Sequence, residues 1–122
     1  MRILIAGGTA VSRRALKIFL QTRSDYQLVA EVSDMQDFDA QLSANHPDLI
    51  LLDGEPAVES LSSLIQSLQT FDPRPALILL TGQPALKQPS QPAGVDAYVS
   101  KGDPPKSLLT AIEAIRLRGT HG

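Results

Sequence analysis

Asp48-Leu49-Ile50-Leu51-Leu52-Asp53 is the stretch on which the reading of this chain turns. Four consecutive apolar residues between two carboxylates are too few for a helix that must show a polar face. They suit a strand covered on both sides, as in a parallel sheet. Gly54-Glu55-Pro56 ends the run at once. In open α/β sheets, ligands and chemistry gather outside the carboxyl ends of the strands, so Asp53 is a site candidate from position alone.

Working outward, the same grammar recurs. Arg2 to Ala6 is a short apolar strand closed by Gly7 and Gly8. Thr9 is placed to cap a helix on which Val11, Ala15, Ile18, Phe19 and Thr22 share one face while Arg13, Arg14 and Lys17 point to solvent. Gln27 to Val32 reads as a second strand. Ser33 or Asp34 then caps a helix carrying Met35, Phe38 and Leu42, stopped by Asn45-His46-Pro47. After the strand ending at Asp53, a helix presents Leu61, Leu64, Ile65 and Leu68. Asp72-Pro73-Arg74-Pro75 breaks it before a fourth strand, Ala76 to Leu80, that leads to Thr81 and Gly82. Pro84, Pro89 and Pro92 make Gln83 to Ala93 a loop with at most a turn or two of helix, because each proline removes a backbone donor and crowds the preceding turn. A fifth strand, Ala97 to Val99, delivers Ser100 and Lys101. Asp103 caps the last helix, with Pro104 and Pro105 in its first turn and Leu108, Leu109, Ile112 and Ile115 as its buried stripe. Arg116 and Arg118 suit its negative end, and Gly119 its stop. The alternation predicts one α/β layer structure with strand order 2-1-3-4-5. That order gathers Gly7, Gly8, Asp53, Thr81 and Lys101 at one sheet edge.

Composition narrows the function. With 122 residues, the chain has room for one domain, 1–118, followed by a tail or linker start at 119–122. A formal net charge of -2 gives no general pull toward nucleic acid or anionic membrane. The absence of Cys removes thiol chemistry and Cys-ligated zinc, and the 2 His residues, His46 and His121, have no metal-binding spacing. No apolar run approaches a membrane span, so a cytoplasmic location is expected. No nucleophile-base pair and no carboxylate pair for acid-base work stand out, and the chain is not expected to be an enzyme.

The ordered set of Arg2-Ile3-Leu4-Ile5, Arg13-Arg14-Ala15-Leu16, Pro47-Asp48 before Leu51-Leu52-Asp53, Leu80-Thr81-Gly82, Gly94-Val95-Asp96-Ala97-Tyr98 and Ser100-Lys101 resembles the receiver domain of two-component response regulators. The style is nearest to receivers that carry a helix-turn-helix output. The resemblance implies a flavodoxin-like doubly wound sheet with, here, a shortened Pro-rich fourth-helix region. It also implies roles: Asp53 as phosphoacceptor, Thr81 and Lys101 as phosphate-contacting residues, and Tyr98 as the aromatic switch, or else an edge-strand aromatic covering apolar surface.

The departures bear on function more than the matches do. Receivers end their first strand in two acidic residues that bind a divalent cation with the phosphoacceptor; this chain has Gly7 and Gly8 there. Mg²⁺ binding is therefore expected to be lost or very weak, with no other cofactor. Replacing both glycines by aspartate is expected to restore the cation site; another reading of the glycines is that they open room for a water or anion beside Asp53. The sequence thus reads as a disarmed receiver whose interaction or dimerisation surface works without phosphorylation or with weak phosphorylation, as a module or as the regulatory part of a transcriptional regulator. Partners would be a histidine kinase, an output domain or regulator, or a second copy through the last helix and fifth strand. Direct contact with nucleic acid is not expected. Two alternatives stand beside this: a working phospho-receiver using Asp53, and a small-ligand or anion sensor using the Gly7-Gly8 loop.

Overall fold

The computed structural model describes residues 1–54, 58–72, 74–82 and 94–119. The strands are β1 (Arg2–Gly7), β2 (Gln27–Val32), β3 (Leu49–Asp53), β4 (Ala76–Thr81) and β5 (Ala97–Ser100). They form a single parallel sheet in the order β2-β1-β3-β4-β5. The helices among the described residues are α1 (Ala10–Leu20), α2 (Phe38–Asn45), α3 (Val58–Gln69) and α4 (Pro105–Gly119), with a 3-10 turn at Met35–Asp37. The expected order and alternation are both present. Strand ends run a residue longer than expected at Gly7, Thr81 and Ser100.

The sheet divides the core by side-chain parity. Leu4, Ala6, Ile50, Leu52, Leu77 and Leu79 face α2 and α3, meeting Phe38, Leu42, Leu64 and Leu68. Ile3, Ile5, Leu49, Leu51, Ile78 and Leu80 face α1 and α4, meeting Leu20, Leu108, Ile112 and Ile115. Every residue of β3 is buried. That explains the unbroken apolar run: a central strand has no solvent face to mark with a polar residue. Each fully buried Leu or Ile contributes about 1.5–3 kcal/mol over its exposed state.

Polar side chains fasten the strand starts. The Asp48 carboxylate accepts from the Arg2 amide at 2.8 Å, and the Asp48 amide donates to the Arg2 carbonyl at 2.8 Å. Asp96 accepts from the Leu77 amide at 2.8 Å and from Arg74, whose guanidinium also donates to the Gly94 carbonyl at 3.1 Å. His46 closes α2 in the left-handed region at φ 45°, donating its amide to the Leu42 carbonyl at 2.9 Å.

Three local expectations change. On α1, Val11, Ala15 and Ile18 face solvent, with Val11 80% and Ile18 58% exposed, whereas Leu16, Phe19 and Leu20 pack on the core. The helix has two apolar arcs, and the one carrying Leu16, Phe19 and Leu20 takes the core. Asp34 caps the 3-10 turn, accepting from the Gln36 amide at 2.9 Å, so Met35 precedes α2 instead of lying in it. At the other end, α4 opens at Pro105, which puts Pro104 at the cap position expected for Asp103. Gly119, expected as the stop, is its last residue. The Gly54-Glu55-Pro56 turn, the Pro-rich segment 83–93 and the tail from residue 120 lie outside the described residues, wholly or in part.

The far end of α4 is tied back to the loop before β2. Arg116 bonds the Asp25 carboxylate, and the Tyr26 hydroxyl donates to Glu113 Oε2. Burial, then the hydrogen bond to Glu113, pushes the Tyr26 hydroxyl up to about 12. The Arg116 guanidinium holds the Asp25 carboxyl below its ordinary value of 3.8. A lowered carboxyl stabilises the fold above its unfolded value, and that contribution disappears as pH falls through the folded one. Asp25→Asn is therefore expected to melt below wild type at pH 7, by a small margin because the pair is exposed. Thermal melts should converge as the pH is taken down through and below 3.8; a gap that persists in acid contradicts the pairing.

Candidate functional site

The strand register assembles the site. Gly7 lies opposite Asp53 across the β1–β3 pair, and Thr81 opposite Ser100 across β4–β5. The Lys101 amide donates to the Thr81 carbonyl at 2.8 Å, and the Gly54 amide to the Leu80 carbonyl at 2.9 Å. These bonds extend the ladders past the strand ends and align the loops. Asp53, Thr81, Lys101, Gly7 and Gly8 therefore share one edge, as expected.

Asp53 is the centre. It is 4% exposed, and Thr81 is 3% exposed beside it, the two buried polar residues of the described core. A carboxylate out of water is costly unless it is paired. The pairing comes from Lys101, whose ammonium reaches over the end of β4 to Asp53 Oδ1. The lysine side chain is 41% exposed against 1% for the aspartate, so the cation stays half in water while the anion does not. The contact is a charge-assisted ion pair, with the ammonium directly on Asp53 Oδ1.

The β1–α1 loop closes the other side of the carboxylate. Gly7 and Gly8 have φ of 77° and 70°, a region that disfavours residues with a Cβ. A Cβ on Gly8 would lie 2.4 Å from Asp53 Oδ2 and 2.8 Å from its Cγ. One on Gly7 would lie 2.5 Å from the Asp53 carbonyl oxygen. The alternative reading, that these glycines open room beside Asp53, does not hold on this backbone: Asp53 itself occupies the space a Cβ would need. A side chain added at either position on this backbone would require a shift of the Asp53 carboxylate or of the β3 end.

Arg13 is the residue that sequence reasoning missed. It was expected on the solvent face; instead its Nη1 donates to the carbonyls of both Gly7 and Gly8 at 3.0 Å each. Its Nε stands 3.7 Å from Glu31 on β2, and its side chain is 12% exposed. Lys17 joins the same Glu31 at 3.7 Å. A single guanidinium nitrogen thus satisfies both loop carbonyls, with a charge-assisted donor for each. Thr9 caps α1 as expected, accepting from the Ser12 amide at 3.0 Å. An arginine in the second helical turn after Gly-Gly was the available signal, but helical spacing alone does not show a side chain folding back.

Tyr98 lies opposite Leu79, on the face of the sheet that Thr81 shares by strand parity. It is half-buried against the core on the α2–α3 side, and that burial raises its hydroxyl above the ordinary value. Among the described residues, no group of three His, Cys, Asp or Glu side chains could hold a metal ion. The carboxylate oxygens of Asp53 face Lys101 on one side and Gly8 on the other.

The comparisons with known proteins agree with this fold. No protein-family profile matches the chain. The transcriptional regulatory protein YhcZ of Bacillus subtilis is 28% identical over 124 residues, covering 100% of this chain and 55% of that protein. The chain thus spans about half the length of this curated relative. A CheY-like response regulator receiver domain protein from Methanospirillum hungatei superposes with a TM-score of 0.77 at 26% identity, over 99% of this chain and 98% of that one. RcsB from Salmonella enterica serovar Typhimurium, solved bound to a promoter in the presence of phosphomimetic BeF3-, superposes with a TM-score of 0.75 over 95% of this chain and 61% of its own. At 18% identity, that likeness is one of fold. The flavodoxin-like sheet of this chain is that of response regulator receiver domains.

The close approach of Gly8 to Asp53 is directly testable. Gly8→Ala should cost more than the roughly 1–2 kcal/mol of a left-handed alanine alone. In an Asp53→Ala background the cost should fall to about that figure, since the colliding carboxylate is gone. Urea unfolding of the four proteins gives the coupling; additive effects would contradict the contact.

Proposed function

We propose that this chain is a receiver-type signalling module that acts through a held surface, with phosphorylation lost or strongly weakened. The observation that carries the reading is the enclosure of Asp53 between Lys101 and the Gly7-Gly8 loop. Phosphoryl transfer to an aspartate needs cationic neutralisation of the moving charge. Here Lys101 is the cation on Asp53 among the described residues. Mg²⁺ is bound through one or two carboxylates plus waters and tolerates little distortion, so a single enclosed carboxylate supports little affinity. No enzymatic role is assigned.

The YhcZ match, covering 55% of that protein, supports placing the chain as the regulatory part of a transcriptional regulator in the cytoplasm. In this reading the partner is a kinase, an output domain or regulator, or a second copy meeting β5 and α4, and DNA is not touched by this domain itself. Leu117, 65% exposed on α4, supports a contact on that helix. A working phospho-receiver is the second reading, favoured by the convergence of Asp53, Thr81 and Lys101 at one edge. The Gly7-Gly8 anion-sensor reading loses its support, because the loop packs against a carboxylate.

Treatment with acetyl phosphate, with and without Mg²⁺, read by intact mass, tests the proposal. The expected result is no gain of a phosphoryl group, or a trace that does not depend on Mg²⁺. Stoichiometric, Mg²⁺-dependent addition that Asp53→Asn abolishes would overturn it in favour of the second reading.

A further inference from the structure

A cavity of about 340 Å³ opens between α1 and the first turn of α4, with Asp53 among its lining residues. Its walls are apolar: Leu16 and Phe19 from α1, Leu80 and Val99 from the strand ends, and Leu108 from α4. Asp53 and Lys101 lie at its polar end, with the hydroxyls of Ser12 and Ser100 nearby. The volume is at the lower limit of small-molecule sites, and an apolar cleft with a few convergent polar groups is their usual form.

The lining also restricts the ligand's charge. Asp53 and Asp103 supply two carboxylates against the one ammonium of Lys101. The start of α4 offers little to an anion, since Pro104 and Pro105 carry no N–H. The Asp103 and Ser107 amides are already spent on the Ser100 and Pro104 carbonyls, at 3.1 and 2.9 Å. Asp53, whose side chain is 1% exposed, lines this cavity with the Lys101 ammonium against its Oδ1. A carboxylate has more acceptor sites than one ammonium fills, so a donor from a ligand could join Lys101 on it. We propose that the cavity between α1 and α4 binds a small, mainly apolar molecule carrying one hydrogen-bond-donor head, a hydroxyl or a primary amine, placed against Asp53.

Such a ligand would bridge α1 and α4 and so couple the aspartate to the surface of both helices, without any phosphoryl group. The site is independent of whether Asp53 can be phosphorylated. It also differs from a phosphate cradle, because the glycine loop is not among its walls.

Amide chemical-shift titrations of the ¹⁵N-labelled chain with benzyl alcohol, benzylamine and benzoate test it. Saturable shifts centred on Leu16, Phe19, Val99 and Leu108 are expected with at least one of the two donor probes. Benzoate is expected to bind at least tenfold more weakly. Ala15 borders the cavity and is exposed on α1, so Ala15→Phe should plug the mouth with the fold intact, and Ala15→Leu should plug it in part. Loss of the shifts in Ala15→Phe, and a graded loss in Ala15→Leu, supports the site. Shifts that do not saturate, or that persist in both variants, overturn it. Benzoate binding as tightly as the donor probes overturns the assignment of the head group.

Discussion

A carboxylate removed from water at the end of a central strand is the constraint from which the rest of this molecule follows. Asp53 is held there by β3, every residue of which is buried. Its charge has to be answered locally, and Lys101 answers it from the far side of β4. That requires β5 to end in register with β4, which the Lys101–Thr81 backbone bond ensures. The pair is asymmetric, with the anion enclosed and the cation half in water. Removing the lysine would expose the fold to the full penalty of the buried aspartate, whereas the lysine alone could be solvated.

The second half of the constraint is steric. In a sheet of this order, the loop after β1 always meets the end of β3. Here the loop meets it with no side chain at all, on a left-handed backbone whose carbonyls are gathered by Arg13. The glycines are therefore not acidic positions trimmed back to empty space. Their backbone is left-handed, with Asp53 filling the volume that a Cβ would need. Arg13, Glu31 and Lys17 form a charged brace across α1 and β2 that holds this conformation, and each bond in the brace is modest on its own.

Much of this was legible in the chain. The apolar runs at Ile3-Leu4-Ile5, Leu49-Ile50-Leu51-Leu52 and Leu77-Ile78-Leu79-Leu80, each ended by a turn or polar residue, dictate buried parallel strands, and their alternation with helices dictates the order. The gathering of Asp53, Thr81 and Lys101 followed from topology. Other features were hidden for physical reasons. Two apolar arcs on α1 compete for the core, and periodicity does not rank Val11 and Ile18 against Leu16 and Phe19. A glycine does not announce what lies beyond its missing Cβ, so Gly7-Gly8 could equally be read as open space or as close packing. Arg13 reads as a surface charge until the loop carbonyls it satisfies are placed in space.

The enclosure of Asp53 has an immediate consequence for cation binding. Paramagnetic Mn²⁺, which shares the oxygen preference of Mg²⁺, broadens amide resonances near any site it occupies. The account predicts that millimolar Mn²⁺ leaves the amides of Gly7, Gly8, Asp53 and Gly54 no broader than those of the opposite sheet edge. Selective loss of those four signals at micromolar Mn²⁺, reversed by Mg²⁺, would contradict it.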